Sequence, residues 1–311
     1  MSAERRRKSA IGKQAPSRTP EAPPSPAAPP LASSSLLVFG FYPALLLLSI
    51  AWCAIRPLSD PDTWFHMALG RHILEQGSLP RTDIFSHTSA GNEWISSGWL
   101  ASVIMQWLFK SGGESGAGLV TMVLVVIAAA YLLVYATAVQ FHESRGEGAV
   151  IILPLLAGIM AAAQRFHPRP DLWTQFFVGL VSVILLTAER RLDADHNQWP
   201  RTGCFPRRLW LLPPVFALWA NFHAGYMAGF LLIASFGIHL VVVRIRAGAG
   251  TARGALIAVP LLLCFATWML NPYGSRLAGL AGKIAAIPQV TLIYEWMPLL
   301  YYPRFASPFP V

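Results

Sequence analysis

Residues 117–141 read AGLVTMVLVVIAAAYLLVYATAVQF, 25 positions without one charged side chain. A helix needs only ~20 such residues to cross the hydrocarbon core of a bilayer. A water-soluble helix has no use for apolar residues on every face. The same pattern recurs on both sides of this stretch. Apolar blocks occupy 36–55, 149–164, 171–188, 209–220, 226–243 and 255–270. With 117–141 they make seven expected spans, so the fold class is an all-α polytopic membrane protein. The short 209–220 block is expected to end at Asn221–His223, with the next span starting at Gly225. Residues 99–109 are apolar but too short to span. They are expected to lie at the interface or to extend the second span.

Composition agrees with this reading. Of 311 residues, 54% are apolar and 13% charged, against roughly a quarter charged in a soluble domain. So few charges cannot coat a soluble enzyme or a nucleic-acid-binding domain of this length. The three cysteines, Cys53, Cys204 and Cys264, are far apart and suit neither a zinc site nor a disulfide framework. Lys and Arg outnumber Asp and Glu by 24 to 15, a net charge of +9. Topology accounts for the excess, and no nucleic-acid partner is expected. Residues 1–35 hold seven prolines and six Lys/Arg with little to bury, and read as a disordered basic tail. If that tail is cytosolic, segments 142–148, 189–208 and 244–254 share its side. Together the four segments carry 15 of the 24 basic residues, as the positive-inside bias requires. The first long loop, 59–116, then lies outside.

The unusual polar residues fall at the outer ends of the expected spans. The strongest segment is Ser59-Asp60-Pro61-Asp62-Thr63-Trp64-Phe65-His66. Asp60 reads as an N-cap, with Pro61 at the first helical position and Gly77 as the closing residue. Trp64, Phe65, Ala68, Leu69, His72 and Ile73 recur at helical spacing and suggest a face in the lipid interface. Asp62 complements the helix dipole. It also stands four residues before His66, on the same face. A carboxylate beside an imidazole can accept a proton or hold a divalent cation such as Mg or Mn, with Asp62 and Asp60 as its ligands. Farther along the loop, Asp83 and Glu93 read equally as loop caps and as second carboxylates.

Three later turns are candidates for ligand contact. Arg165-Phe166-His167-Pro168-Arg169-Pro170 sets Arg165, His167 and Arg169 where guanidinium groups suit a phosphate or pyrophosphate. Anchoring to lipid headgroups competes with that reading. Asn221 and His223 supply an amide and an imidazole, or merely connect two helices. Glu295, in Glu295-Trp296-Met297-Pro298, returns an acid and an aromatic to the same side. Asn271-Pro272-Tyr273-Gly274 reads as a structural turn. The span interiors carry almost no ionisable groups, which weighs against a proton-coupled transporter or flippase.

An Asp-rich first outer loop after span one resembles that of the GT-C glycosyltransferases, integral membrane enzymes that use sugars carried on polyprenyl phosphates. Asp62-Thr63-Trp64-Phe65-His66 resembles the Asp-x-(aromatic)-Phe-(Asn/His) segment of oligosaccharyltransferase catalytic subunits. The wider pattern is similar to an uncharacterised bacterial branch of that superfamily. It stands here at Asp60–His66, Gly70–Gly77, Pro80–Ser86, Trp94, Arg169–Pro170, Trp219–Gly225, Asn271–Gly274 and Glu295–Pro298. The resemblance covers residues 36–298. It implies a GT-C-like transmembrane module in a bacterial inner (plasma) membrane, with the lipid bilayer and a polyprenyl-phosphate-linked sugar as partners. By similarity, Asp62 or Asp60 acts as base on the acceptor or holds a cation near the donor phosphate. Residues 299–311 form a C-terminal end where superfamily members carry further spans. The alternative expectation is a non-catalytic GT-C-like protein that binds lipid-linked sugars.

Overall fold

A computed structural model describes residues 36–113, 115–142, 148–194, 207–246 and 252–279, together with 282 and 286. The expected tail (1–35), Cys204, Glu295 and the end at 299–311 lie outside the described residues. Every regular element described is helical, and the only β pairing there is an isolated bridge between Thr82 and Glu93.

Among the described residues nine α-helices follow one another: α1 (Tyr42–Ala54, continuing a π-helical turn over Leu37–Phe41), α2 (Pro61–Gln76), α3 (Trp99–Ser111), α4 (Ala117–His142), α5 (Gly148–Ala162), α6 (Leu172–Ala194), α7 (Leu212–Phe222), α8 (Tyr226–Arg246) and α9 (Ala252–Thr267). Four segments of the described residues are long and apolar enough to cross a membrane: Leu37–Ala54, Ala117–Phe141, Leu172–Arg190 and Tyr226–Val243. Many side chains exposed on them are apolar, among them Trp52, Val125, Leu231 and Ile238, as befits helices solvated by lipid. The chain has the character of an integral membrane protein.

Of the seven expected spans, four are long and apolar enough to cross among the described residues. Apolar helices occur at all seven positions, but three are short. Val150–Arg165 and Ile257–Leu270 fall below a full span and contain Pro154 and Pro260. The 209–220 block divides into a 3-10 turn, Arg207–Leu211, and the 11-residue α7. At ~1.5 Å per residue α7 reaches only about 16 Å. Pro213 and Pro214 explain the division, since neither has an N–H to continue a helix begun earlier. Six of the eleven residues of α7 are buried, so it is a core helix rather than a lipid-facing one.

Two apolar clusters hold the bundle together. One joins α1, α4 and α5 with Phe166 and Leu172. The other joins α6, α7, α8 and α9 with Ala101 of α3. Ile104, Trp173 and Phe176 pack against both. The seam therefore runs along α3 and the start of α6. Trp173 of the seam meets Phe222 at 4.5 Å between ring centroids, and within the second cluster Phe177 stacks on Trp219 at 5.4 Å.

The segment between α1 and α4 folds as a helical cap. Asp60 Oδ1 accepts from the Asp62 N–H at 2.9 Å, Pro61 opens α2, and Gly77 closes it at φ 64° while donating to Ile73 O. Only glycine takes that left-handed conformation without steric cost. Helix α3 forms a separate element packed against α2 and does not extend α4. The stripe expected at the lipid interface is exposed at Trp64 and buried at Leu69. Thr63, Met67, Leu69 and Gly70 are the buried residues of α2. The two helices meet at Gly70: a Cβ there would stand 2.0 Å from Ser102 O. The two backbones touch at the one position that counts for nothing in an apolar pattern.

Candidate functional site

The polar turns meet at one end of the bundle. The turn after α5 lies over the N-terminus of α2, where Thr63 Oγ1 donates to Pro168 O at 3.0 Å. Beside that bond Arg169 engages both acids of the α2 N-terminus. Its Nε lies 3.3 Å from Asp60 Oδ2, and its Nη2 pairs with Asp62 Oδ2. Asp60 thus spends one oxygen on its own helix and the other on Arg169. Asp62 stays half exposed. Next in the same turn, Arg165 Nη1 lies 3.5 Å from Asp171 Oδ2, with Arg165 42% exposed. Asp171 Oδ1 and Trp173 Nε1 are buried without a hydrogen-bond partner among the described residues. Buried polar atoms of that kind ask for a water or a ligand group.

Two imidazoles complete the cluster. His66 Nδ1 lies 3.0 Å from Ser102 Oγ of α3. Burial, reinforced by the neighbouring His223 and opposed by Asp60, pushes its pKa down to about 4. His66 is therefore neutral at pH 7. His223 Nδ1 lies 2.8 Å from Thr174 Oγ1 and accepts from the Gly225 N–H at 3.0 Å. Burial lowers the pKa of His223 as well; Asp171 opposes that shift, while Arg169 and Arg165 add to it. These electrostatic couplings tie Asp60, His66, Arg165, Arg169, Asp171 and His223 into one neighbourhood.

The remaining candidates take other positions. His167 is half-buried, and its carbonyl accepts from the Arg169 N–H at 2.8 Å. Asn221 Oδ1 accepts from Trp99 Nε1 and its Nδ2 donates to Ala217 O, both at 2.8 Å, so its amide is taken up in joining α3 to α7. Asp83 caps its own loop: Oδ1 accepts the N–H groups of Phe85 and Ser86 at 2.9 Å, and bonds from Ser86 and Phe85 hold its pKa down. Glu93 approaches Arg276 at 3.9 Å. Asn271 donates to Ala220 O at 2.8 Å, and Tyr273 donates to Pro80 O at 3.1 Å, which makes the Asn271–Gly274 turn a clamp on the first loop.

A divalent cation does not suit this arrangement. Among the described residues no three His, Cys, Asp or Glu converge as a ligand set, and the guanidinium of Arg169 already pairs with both Asp60 and Asp62. What the site does offer is a half-exposed carboxylate, an accessible arginine and two neutral imidazoles. Ser102, Asp171 and Thr174 belong to it although the sequence reading did not single them out. Asp171 directly follows the Arg-rich turn, and an acid so placed beside two arginines was the available hint.

No family model matches the chain, and no curated protein or solved structure matches it.

Proposed function

We propose that the chain is a membrane glycosyltransferase that moves a sugar from a polyprenyl-phosphate donor to an acceptor on the extracytoplasmic face of a bacterial inner membrane. The observation that carries this reading is the pairing of Arg169 with Asp60 and Asp62. It joins the acidic first loop to the basic turn, so an acceptor and an anionic leaving group have facing partners in one site. In this reading the half-exposed Asp62 orients the acceptor hydroxyl. Arg165, the more exposed arginine, meets the charge that develops on the departing phosphate. Asp171 Oδ1 and Trp173 Nε1, which lack a partner among the described residues, support a polar ligand or water here. The resemblance to GT-C enzymes along 36–298 supports the substrate class, and the basic residues of the loops support a cytosolic N-terminus.

The test is whether purified chain in nanodiscs consumes a radiolabelled polyprenyl-phosphate sugar in the presence of crude envelope acceptor. Wild type is expected to turn over, and Asp62→Asn to lose at least a hundredfold while still inserting and melting cooperatively. Equal turnover by the variant removes Asp62 from the reaction. A second reading, a non-catalytic lipid-sugar-binding protein, is favoured by the closure of the triad, in which Arg169 satisfies two carboxylates at once. It predicts saturable binding of the labelled donor without a glycosylated product.

A further inference from the structure

The hydrogen bonds of Ser102 decide where the proton of His66 resides. Ser102 is fully buried, and its hydroxyl donates to Gly98 O one turn earlier at 3.0 Å. A serine hydroxyl has a single hydrogen. With that hydrogen committed, Ser102 Oγ meets His66 Nδ1 as an acceptor. The ring must then carry its hydrogen on Nδ1 and its lone pair on Nε2. No bond to Nε2 forms among the described residues. His223 has the opposite assignment. Its Nδ1 accepts the Gly225 N–H, so the Thr174 hydroxyl donates to the same atom and the hydrogen sits on Nε2. The 3.4 Å contact from Trp219 Nε1 to Thr174 Oγ1 fits a threonine whose own hydrogen points at the imidazole.

We propose that Ser102 is a positioning residue that fixes His66 with its Nε2 lone pair free, making His66 the proton acceptor of the site and His223, held as the Nε2–H form, its hydrogen-bond donor. This rests on the transferase reading above and assigns the proton step within it. The acceptor hydroxyl gives its proton to His66 Nε2. The oxygen's electron pair forms the new bond to the anomeric carbon. The bond from that carbon to the phosphate oxygen breaks, and its pair leaves with the phosphate. Arg165 and the His223 Nε2–H face the resulting negative charge, and the imidazolium of His66 later returns its proton to water. Asp60 stands near enough to favour that imidazolium once formed. Asp62, with one oxygen held by Arg169, is left to orient the hydroxyl.

The experiment uses the full chain in nanodiscs with 15N-labelled histidine. The His66 resonances are identified by their absence in His66→Gln. At neutral pH they are expected to show a protonated Nδ1 and a bare Nε2, a preference lost in Ser102→Ala and retained in Ser102→Thr. With labelled polyprenyl-phosphate sugar, His66→Gln is expected to lose on the order of a hundredfold in kcat. Ser102→Ala should lose roughly tenfold in kcat with KM unchanged. A wild-type His66 protonated on Nε2 overturns the assignment even if transfer is normal. The expected tautomer in a wild type that transfers no sugar instead overturns the transferase reading, and the proton role falls with it. Full activity of His66→Gln overturns the proposal directly.

Discussion

At Asp60 one side chain holds two structures at once: Oδ1 caps α2, and Oδ2 meets Arg169. Its capping role follows from the order Asp-Pro-Asp, because an N-cap acts on its own chain neighbours. Its ion pair is with a residue far along the chain and leaves no local trace. Ser102 is harder still to see in advance, since a lone serine in an apolar helix reads as a tolerated polar residue. Its meaning comes from His66, 36 positions away. His66 also carries a prediction about stability. Its folded pKa of about 4 lies below the reference 6.5, so between those values the unfolded chain binds a proton that the folded chain does not. The stability from this group is complete above pH 6.5 and falls by about 3 kcal/mol as the pH drops to 4. Denaturant titrations of the chain in nanodiscs should show that loss, and His66→Gln should flatten it.

At the scale of elements, α2 displays both the reach of local signals and their limit. Its start and stop were legible because capping chemistry is local. The face it packs on α3 was not, because Gly70, where the two backbones meet, counts for nothing in an apolar pattern. Gly70→Ala tests that packing. The added methyl would stand 2.0 Å from Ser102 O, so α2 and α3 must part. We expect a loss of about 2 kcal/mol or more, seen as a lower melting temperature in nanodiscs, together with loss of the Ser102–His66 bond. A melting temperature within a degree of wild type would show that the helices do not meet there. Helix α7 gives the complementary case. Its apolar residues were plain to see, but its length was not, because two successive prolines divide the block.

For the whole molecule, the positions of the apolar helices were legible throughout, since burial in lipid demands long unbroken blocks. How many cross the bilayer was not, since three of the seven apolar helices are short among the described residues. The gathering of polar turns at one end followed from alternating chain direction. The pairings within that end depend on tertiary packing and had no signature. Orientation can be tested on the intact protein. In a Cys204→Ser background, a cysteine at exposed His87 should react with a membrane-impermeant maleimide added outside the cell. A cysteine at Arg190, whose side chain reaches Gln140 O at the far end of α4, should react only after lysis. The reverse pattern would invert the topology and move the site to the cytosolic face.

The clamp of Tyr273 on Pro80 gives the assembly a schedule. These residues are 193 positions apart, and Thr63 is 105 positions from Pro168. Synthesis proceeds at roughly 5–20 residues per second. Thr63 therefore waits about 5–20 s for its partner, and Pro80 about 10–40 s. During the shorter of these intervals the acids of α2 stand without Arg169, their partner in the finished fold. The chemistry of this end of the molecule is among the first parts to be made and among the last to be finished.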